Sequence, residues 1–436
     1  MRRRGDFVGY ALGAGAMAAV LALAAAPVHA AGFSIFEQGG KASGLAGAFT
    51  AQADDPSALF YNVGGLGLVN KSDLSIGFTY VQGLKADYRG RAPFPGPTAR
   101  GEQNLLHQPL PQAYFVAPIN ATWKWGIGLE APFGLTTDWK NPDQFAGRFL
   151  STRAAIRAID VNPSLGWQLT PEIGIGFGAI IRASDVNLRR NAPAINPFTQ
   201  SVVNVAHVDL KSDLKTGYGW NVGIVDHYNN SFSWGLSYRS KVKVNYTGNA
   251  QLFQVSTGNG QLDAAVAAQL PFGRKLPVKT AIDFPDMASL GLSFGLSPDL
   301  LLETDFNWTG WKSFDTVNIN FTKGDLPNST VPAHWKNSYN YRAGLRWTTS
   351  PTSQWRFGYV YDQTPQPEQA VNPLLPDANR NGITLGWGST GVHKLDLSLL
   401  YLNFAKRTRK TTFNKDAQFL GTYETQAVLL GATYTW

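Results

Sequence analysis

Tyr423-Glu424-Thr425-Gln426-Ala427-Val428-Leu429-Leu430-Gly431-Ala432-Thr433-Tyr434-Thr435-Trp436 closes the chain, and Val428, Leu430, Ala432, Tyr434 and Trp436 fall on every second position. A period of two is that of a β-strand with one apolar face, here running to an aromatic carboxyl-terminal residue. In a chain that opens on an export signal, such a strand points to a transmembrane β-barrel.

The other end carries that signal. Arg2, Arg3 and Arg4 precede a run from Phe7 to Ala26 without a charge, and Val28-His29-Ala30 leads into Ala31-Gly32. This pattern predicts a cleaved signal peptide over residues 1–30. The run is also long enough for an uncleaved anchor, but the small residues around position 30 favour cleavage. Past Ala31 no second apolar stretch reaches spanning length, so membrane-crossing helices are excluded. The formal charge of +8 falls to +6 once Arg2, Arg3, Arg4 and Asp6 are removed. Spread without a basic cluster, it argues against nucleic acid and suits a surface facing anionic lipid headgroups. With no cysteine in the chain, disulfides and thiolate metal sites are unavailable.

Alternation recurs throughout. Leu74, Ile76, Phe78 and Tyr80 alternate with Ser75, Gly77 and Thr79, and Ile173, Ile175 and Phe177 alternate with Gly174, Gly176 and Gly178. A soluble β-sandwich alternates too. The export signal and the aromatic residues near strand ends, among them Trp123, Trp125, Trp347 and Trp355, favour a barrel with lipid-facing girdles. The segments number about fourteen, an even count as bacterial barrels require. They include 72–84, 112–118, 123–137, 172–188, 206–224, 279–295 and 422–436. Tight turns near 118–122, 169–171 and 350–352 contrast with long loops at 89–111, 190–204, 249–278, 321–337 and 363–381. The expected class is therefore all-β, an antiparallel barrel over residues 71–436 in the bacterial outer membrane. Outer-membrane lipid and the barrel-assembly machinery are the expected partners, and a monomer the expected state.

Residues 31–70 read differently. They lack alternation and are rich in Gly, Ala and Ser, and Asp55-Pro56 offers a helix N-cap with proline at the first helical position. A barrel of this size has a lumen too wide for side chains alone to fill, so a partly helical segment folded inside it is expected.

The third strand, Trp125-Gly126-Ile127-Gly128-Leu129-Glu130-Ala131-Pro132-Phe133-Gly134-Leu135, carries a proline and two closely spaced breaks in alternation. Pro132 cannot donate to a ladder, and a closed barrel has no free edge to hide it. Either the wall kinks inward and opens sideways here, or Pro132 lies above the membrane. In the loop 249–278, Leu262, Ala265, Val266 and Leu270 recur at helical spacing, which suits either a ligand-facing helix or one packed on its own loops. Gly291-Leu292-Ser293-Phe294-Gly295 matches a nucleophile-elbow pattern but sits in an alternating strand with no helix after it, contrary to what that motif requires. His107, His207 and His334 show no ligand spacing, and no cofactor or metal is called for.

Several segments together resemble the FadL family of outer-membrane transporters for long-chain fatty acids and other hydrophobic compounds. These are Ala31-Gly32-Phe33, Ala53 to Asn62, Phe115-Val116-Ala117-Pro118-Ile119-Asn120, Gly126 and Gly128 on to Gly134-Leu135, and Gly147-Arg148-Phe149. Asp160-Val161-Asn162-Pro163-Ser164, Trp335-Lys336-Asn337 and Leu375 to Arg380 complete the set. One departure stands out: after Asn62 the family's Pro-Ala is replaced by Val63-Gly64, so that Gly64-Gly65 would supply the turn. The resemblance implies fourteen strands, an N-terminal hatch over 31–70, and a lateral opening at a kink formed by Ala131, Pro132, Phe133 and Gly134. It also implies that Phe33 reaches into the ligand pocket.

The expected function is passive uptake of a hydrophobic small molecule, foremost a long-chain fatty acid. A carboxylate ligand would call for a lumenal cation, for which Arg182, Arg189 and Lys336 are candidates. The alternatives are aromatic-hydrocarbon uptake, which needs no cation, a general diffusion porin, and an outer-membrane hydrolase.

Overall fold

A computed structural model describes residues 32–229, 231–323, 326–413 and 418–436. The expected signal peptide lies outside the described residues. Fourteen antiparallel strands close into a barrel. They are β1 Asp73–Gly90, β2 His107–Pro118, β3 Trp123–Asp138, β4 Arg153–Gln168 and β5 Ile173–Ile195. Three strands follow in two segments each: β6 Val202–Ser212 and Lys215–Asn229, β7 Phe232–Arg239 and Val242–Gln254, β8 Leu276–Phe284 and Met287–Ser297. The circuit continues with β9 Leu300–Thr309, β10 Ser338–Ser350, β11 Ser353–Asp362, β12 Arg380–Ser389, β13 Lys394–Phe404 and β14 Gly421–Thr435. The opening stretch of sequence closes the ring, because β14 pairs with β1 from Ser75↔Thr435 to Gly90↔Gly421.

Alternation sets which face meets lipid. Leu430 and Tyr434 of β14 and Trp436 just after it are exposed while Leu429 is buried. Ile76, Phe78, Trp123, Trp125, Phe177, Trp347, Trp355 and Leu385 are likewise exposed around the circumference. The inward positions hold buried polar and charged groups such as Glu130, Asp160, Arg182, Arg239, Glu303 and Arg356. An apolar exterior over a polar interior is the inverse of a soluble sandwich and is the pattern of a membrane barrel.

The segment from Gly32 to Leu68 fills the interior. It contains two short helices, α1 Gly40–Gly44 and α2 Ala58–Tyr61, and a 3-10 turn over Val63–Leu68. The helix α1 packs on β12, β13 and β14, whereas the 3-10 turn packs on β4, β5 and β6. A segment that touches opposite arcs of the wall must lie within it. The Asp55 carboxylate accepts the Ser57 N–H at 2.7 Å, and the helix begins only at Ala58, one residue past this turn.

Glycines let the wall and the plug approach. A Cβ on Gly64 would stand 2.7 Å from the Ile224 backbone, one on Gly67 would stand 2.6 Å from the Trp167 carbonyl, and one on Gly176 would overlap the Val63 carbonyl. Gly174 and Gly176 of β5 are therefore on the face on which the plug rests, while Gly178 meets Ser164, Asn221 and Asn162 of the wall. Asn62 secures the plug. Its amide donates to Thr50 O at 2.8 Å and to Ile224 O at 2.9 Å while its oxygen accepts from Gly64 N at 3.0 Å. Across the lumen, Asp305 accepts the N–H groups of Phe49 and Thr50, both at 3.0 Å, and Glu303 accepts that of Ala51 at 2.7 Å.

Several boundaries differ from the sequence reading. β1 and β5 run past their expected ends at 84 and 188, to Gly90 and Ile195, because they continue pairing with their neighbours. The segment expected as one strand over 279–295 breaks between Phe284 and Met287. The second strand begins at His107 rather than 112, so Pro109 and Pro111 belong to the wall and not to a loop. The loop helix, α3 Gly260–Gln269, is capped by the Asn259 side chain and buries only Leu262, which packs it on its own loops.

Candidate ligand site at a break in the wall

The kink in β3 is a β-bulge with a cause in sequence. Glu130 pairs with Asp160 and Phe133 pairs with Ala158, so Ala131 and Pro132 oppose the single residue Ile159 on β4. The extra residue bends the strand and leaves unpaired backbone, and at Pro132 no donor is lost by it.

On its other side β3 loses its neighbour. Pairing with β2 runs from Pro118↔Lys124 to Ala113↔Leu129 and stops there. β2 itself continues along β1 to Gln82↔His107. Residues 107–112 of β2 and those of β3 beyond Leu129 thus face each other across a gap.

The plug supplies what β2 withholds. Gln38 donates from Nε2 to the Ala131 carbonyl at 2.9 Å and accepts the Ala131 N–H on Oε1 at 3.0 Å. Ile35 N–H donates to Pro132 O at 2.8 Å and Gly134 N–H donates to Phe33 O at 3.0 Å. The Ala131 N–H and carbonyl, the Pro132 carbonyl and the Gly134 N–H thus all have partners from residues 33–38. That matters because an unpaired backbone group in a dry wall costs several kcal/mol.

A cavity of about 500 Å³ lies at the gap. Its walls include Phe33 and Ile35 of the plug, Leu105, Leu106, Pro109 and Pro111 on the β2 side, and Phe133, Leu135 and Ile156 on the other. Phe33 is buried at the centre of an aromatic cluster, with ring centroids 4.7 Å from Trp311, 5.5 Å from Phe314, 5.8 Å from Trp335 and 6.1 Å from both Phe133 and Phe284. Gly32, next to Phe33, is held nearby, its N–H donating to the Asp377 carboxylate at 3.1 Å. Asp377 lies in the loop between β11 and β12, where burial pushes its pKa up to about 6 against the pull of Arg380.

The three candidate cations fall in different places. Arg182 is buried behind the cavity, its guanidinium 4.5 Å over the Phe133 ring and 4.7 Å over that of Phe284. It forms two hydrogen bonds of 2.7 Å to Asp160, and its Nη1 has no hydrogen-bond partner among the described residues. Arg189 does not reach the cavity. It sits half exposed high on β5 and pairs with Asp209 at 3.3 Å, because its position on the strand points outward. Lys336 is exposed, while its neighbour Trp335 takes the inward place. Asn62, Gly64 and Gly65 lie at the base of the plug, remote from the gap, as their contacts with Ile224 and Ala53 place them.

Gln38, Pro109, Pro111 and the aromatic residues from β8 and the β9–β10 connection escaped the sequence reading. The two prolines left a signal, an i, i+2 spacing within Leu106-His107-Gln108-Pro109-Leu110-Pro111-Gln112, which is the spacing of one strand edge.

Residues 21–436 match the family described as outer membrane protein transport protein (OMPP1/FadL/TodX). The chain belongs to this family. Among the relatives of this FadL/TodX chain, the long-chain fatty acid transport protein of Escherichia coli O6:H1 is 24% identical, over 85% of this chain and 86% of the relative. Outer membrane protein P1 of Haemophilus influenzae is 22% identical, over 96% and 95%. A crystal structure of a Pseudomonas aeruginosa FadL homologue aligns with a TM-score of 0.78 at 20% identity, covering 93% of this chain and 99% of that one. The Ralstonia pickettii toluene transporter TbuX aligns with a TM-score of 0.66 at 16% identity, covering 92% and 99%. The FadL/TodX chain is thus an outer-membrane transport protein and not an enzyme. The elbow-like pentapeptide agrees, for Ser293 lies mid-strand in β8.

Proposed function

We propose that this protein mediates passive uptake of hydrophobic compounds, foremost long-chain fatty acids, which leave the barrel sideways between β2 and β3. The observation that carries the reading is the end of β2–β3 pairing at Ala113↔Leu129 beside an apolar cavity. A ligand lands on the external loops, enters the cavity and displaces the plug segment that holds Phe33. It then passes through the gap into the membrane. Burial of each methylene is worth about 0.8 kcal/mol, so a chain of about a dozen favours this dry route over a water-filled one by about 10 kcal/mol. Release requires that the plug rearrangement weaken the pocket.

For a carboxylate headgroup, Arg182 is the proposed partner, because its Nη1 has no hydrogen-bond partner among the described residues and its guanidinium lies over the Phe133 ring. A second reading, uptake of neutral aromatic hydrocarbons, is favoured by the lining itself. Lys85, Arg157 and Arg380 border the cavity, and each already faces a carboxylate, Glu424, Asp185 and Asp362 respectively. The toluene transporter among the structural neighbours supports the same reading.

The test is uptake of labelled oleate and toluene by cells carrying the chain with residues 131–133 deleted. Loss of uptake with normal barrel assembly is expected; retained uptake of both ligands would sink the lateral exit.

A further inference from the structure

A strand sends successive backbone groups to alternate neighbours. The β2 ladder to β1 runs without interruption from Val116 to His107. Pro109 and Pro111 have no N–H to give, so an unbroken ladder is possible only if both ring nitrogens face away from β1, into the gap. The register agrees. Continuing the β2–β3 pairing past Ala113↔Leu129 would set Pro111 opposite Ala131; beyond the bulge Phe133 pairs with Ala158, so β3 turns Pro132 O and Gly134 N–H to the gap, and this is the stretch that Pro109 would face. These are the two places where β2 would have to donate in order to close the wall.

We propose that Pro109 and Pro111 hold the wall open by withholding those two donors, so that the plug segment Phe33–Gln38 and not β2 is the partner of the kink. The gap is then a fixed feature of the barrel, and the movable part is the plug.

The remaining chemistry of this edge fits. An open strand edge ordinarily presents a row of N–H and C=O groups that recruits another strand. Here the donors are absent, and the Pro109 carbonyl is occupied by the Gln108 side-chain amide at 3.1 Å. On the facing strand, Ala131 is engaged by Gln38 and Pro132 by Ile35. Such a lip offers a passing apolar molecule contact without hydrogen bonding, and offers a peptide strand nothing to pair with. The two prolines therefore act as positioning residues for the exit. Their part in transport rests on the lateral-exit reading, whereas their part in keeping the seam unpaired does not.

The experiment is the double variant Pro109→Ala/Pro111→Ala of the full chain, with folding verified by heat-modifiable gel mobility. Hydrogen exchange at the new amides is read in detergent micelles, and oleate uptake is read in cells. Two added hydrogen bonds of ordinary net strength should slow exchange at positions 109 and 111 by about tenfold or more and lower uptake by a similar factor. Fast, loop-like exchange at both positions in folded protein overturns the proposal. Slow exchange with undiminished uptake supports it and overturns the lateral exit instead. Pro118→Ala, in the part of β2 that already pairs with β3, is the control; an equal loss of uptake there would overturn the part of Pro109 and Pro111 in transport.

Discussion

The side chain of Gln38 lies against the backbone of Ala131 as a neighbouring strand would, accepting its N–H at 3.0 Å and donating to its carbonyl at 2.9 Å. A primary amide has one donor and one acceptor side, so it imitates the peptide that β2 fails to present. Gln38 is itself fixed by Tyr114, whose hydroxyl donates to the Gln38 carbonyl at 2.8 Å. Replacing Gln38 by Leu leaves the Ala131 N–H and carbonyl unsatisfied, at about 2–6 kcal/mol. Hydrogen exchange at Ala131 should accelerate accordingly while the remainder of β3 is unchanged. Unaltered protection at Ala131 would show that water or another group serves there.

The plug is predicted to be what blocks ion flow. The wild-type barrel should show no steady conductance in planar bilayers, because Gly32–Leu68 occupies the lumen. Gly176→Val places a side chain where the Val63 carbonyl now rests, and should open a persistent ionic current by dislodging the 3-10 turn. A closed Gly176→Val barrel would mean that the plug tolerates displacement of its base.

Arg182 separates two ligand classes. Its replacement by Met leaves Asp160 buried, with only the weaker 3.4 Å ion-pair contact to Arg239 among the described residues, and breaking such a pair costs about 3–5 kcal/mol. If Arg182 also receives a carboxylate, oleate binding should fall at least about tenfold while toluene binding holds in folded protein. Equal loss of both ligands would assign Arg182 to architecture alone.

Asp377 should make the anchoring of the plug depend on pH. Burial raises its pKa from 3.8 to about 6. The folded state thus binds this proton more tightly than the unfolded chain, and the associated stability is complete below about pH 4 and is lost as pH rises through about 6, by on the order of 2–3 kcal/mol. Urea unfolding in micelles from pH 4 to pH 7 should show wild type losing ground to Asp377→Asn over that range. Parallel curves for the two proteins would remove Asp377 from this account.

By itself the sequence determined the wall. Period-two alternation from Leu74 to Trp436, an even strand count and the absence of any second spanning helix leave few ways to satisfy backbone groups in a membrane, and closure of β14 on β1 follows from them. It also marked Pro132, because a proline inside an otherwise regular strand is a local chemical fact. Only the tertiary structure decided what the break is for. Whether Pro109 and Pro111 interrupt a strand or line its free edge depends on which neighbour their nitrogens face. That is set by the register of β2 on β1, a relation between residues some thirty positions apart. The partnership of Gln38 with Ala131 spans 93 residues, and the close seating of Gly64 on Ile224 joins positions 64 and 224. Alternation is written in each strand separately, whereas these contacts exist only once the ring has closed around its own amino-terminal segment.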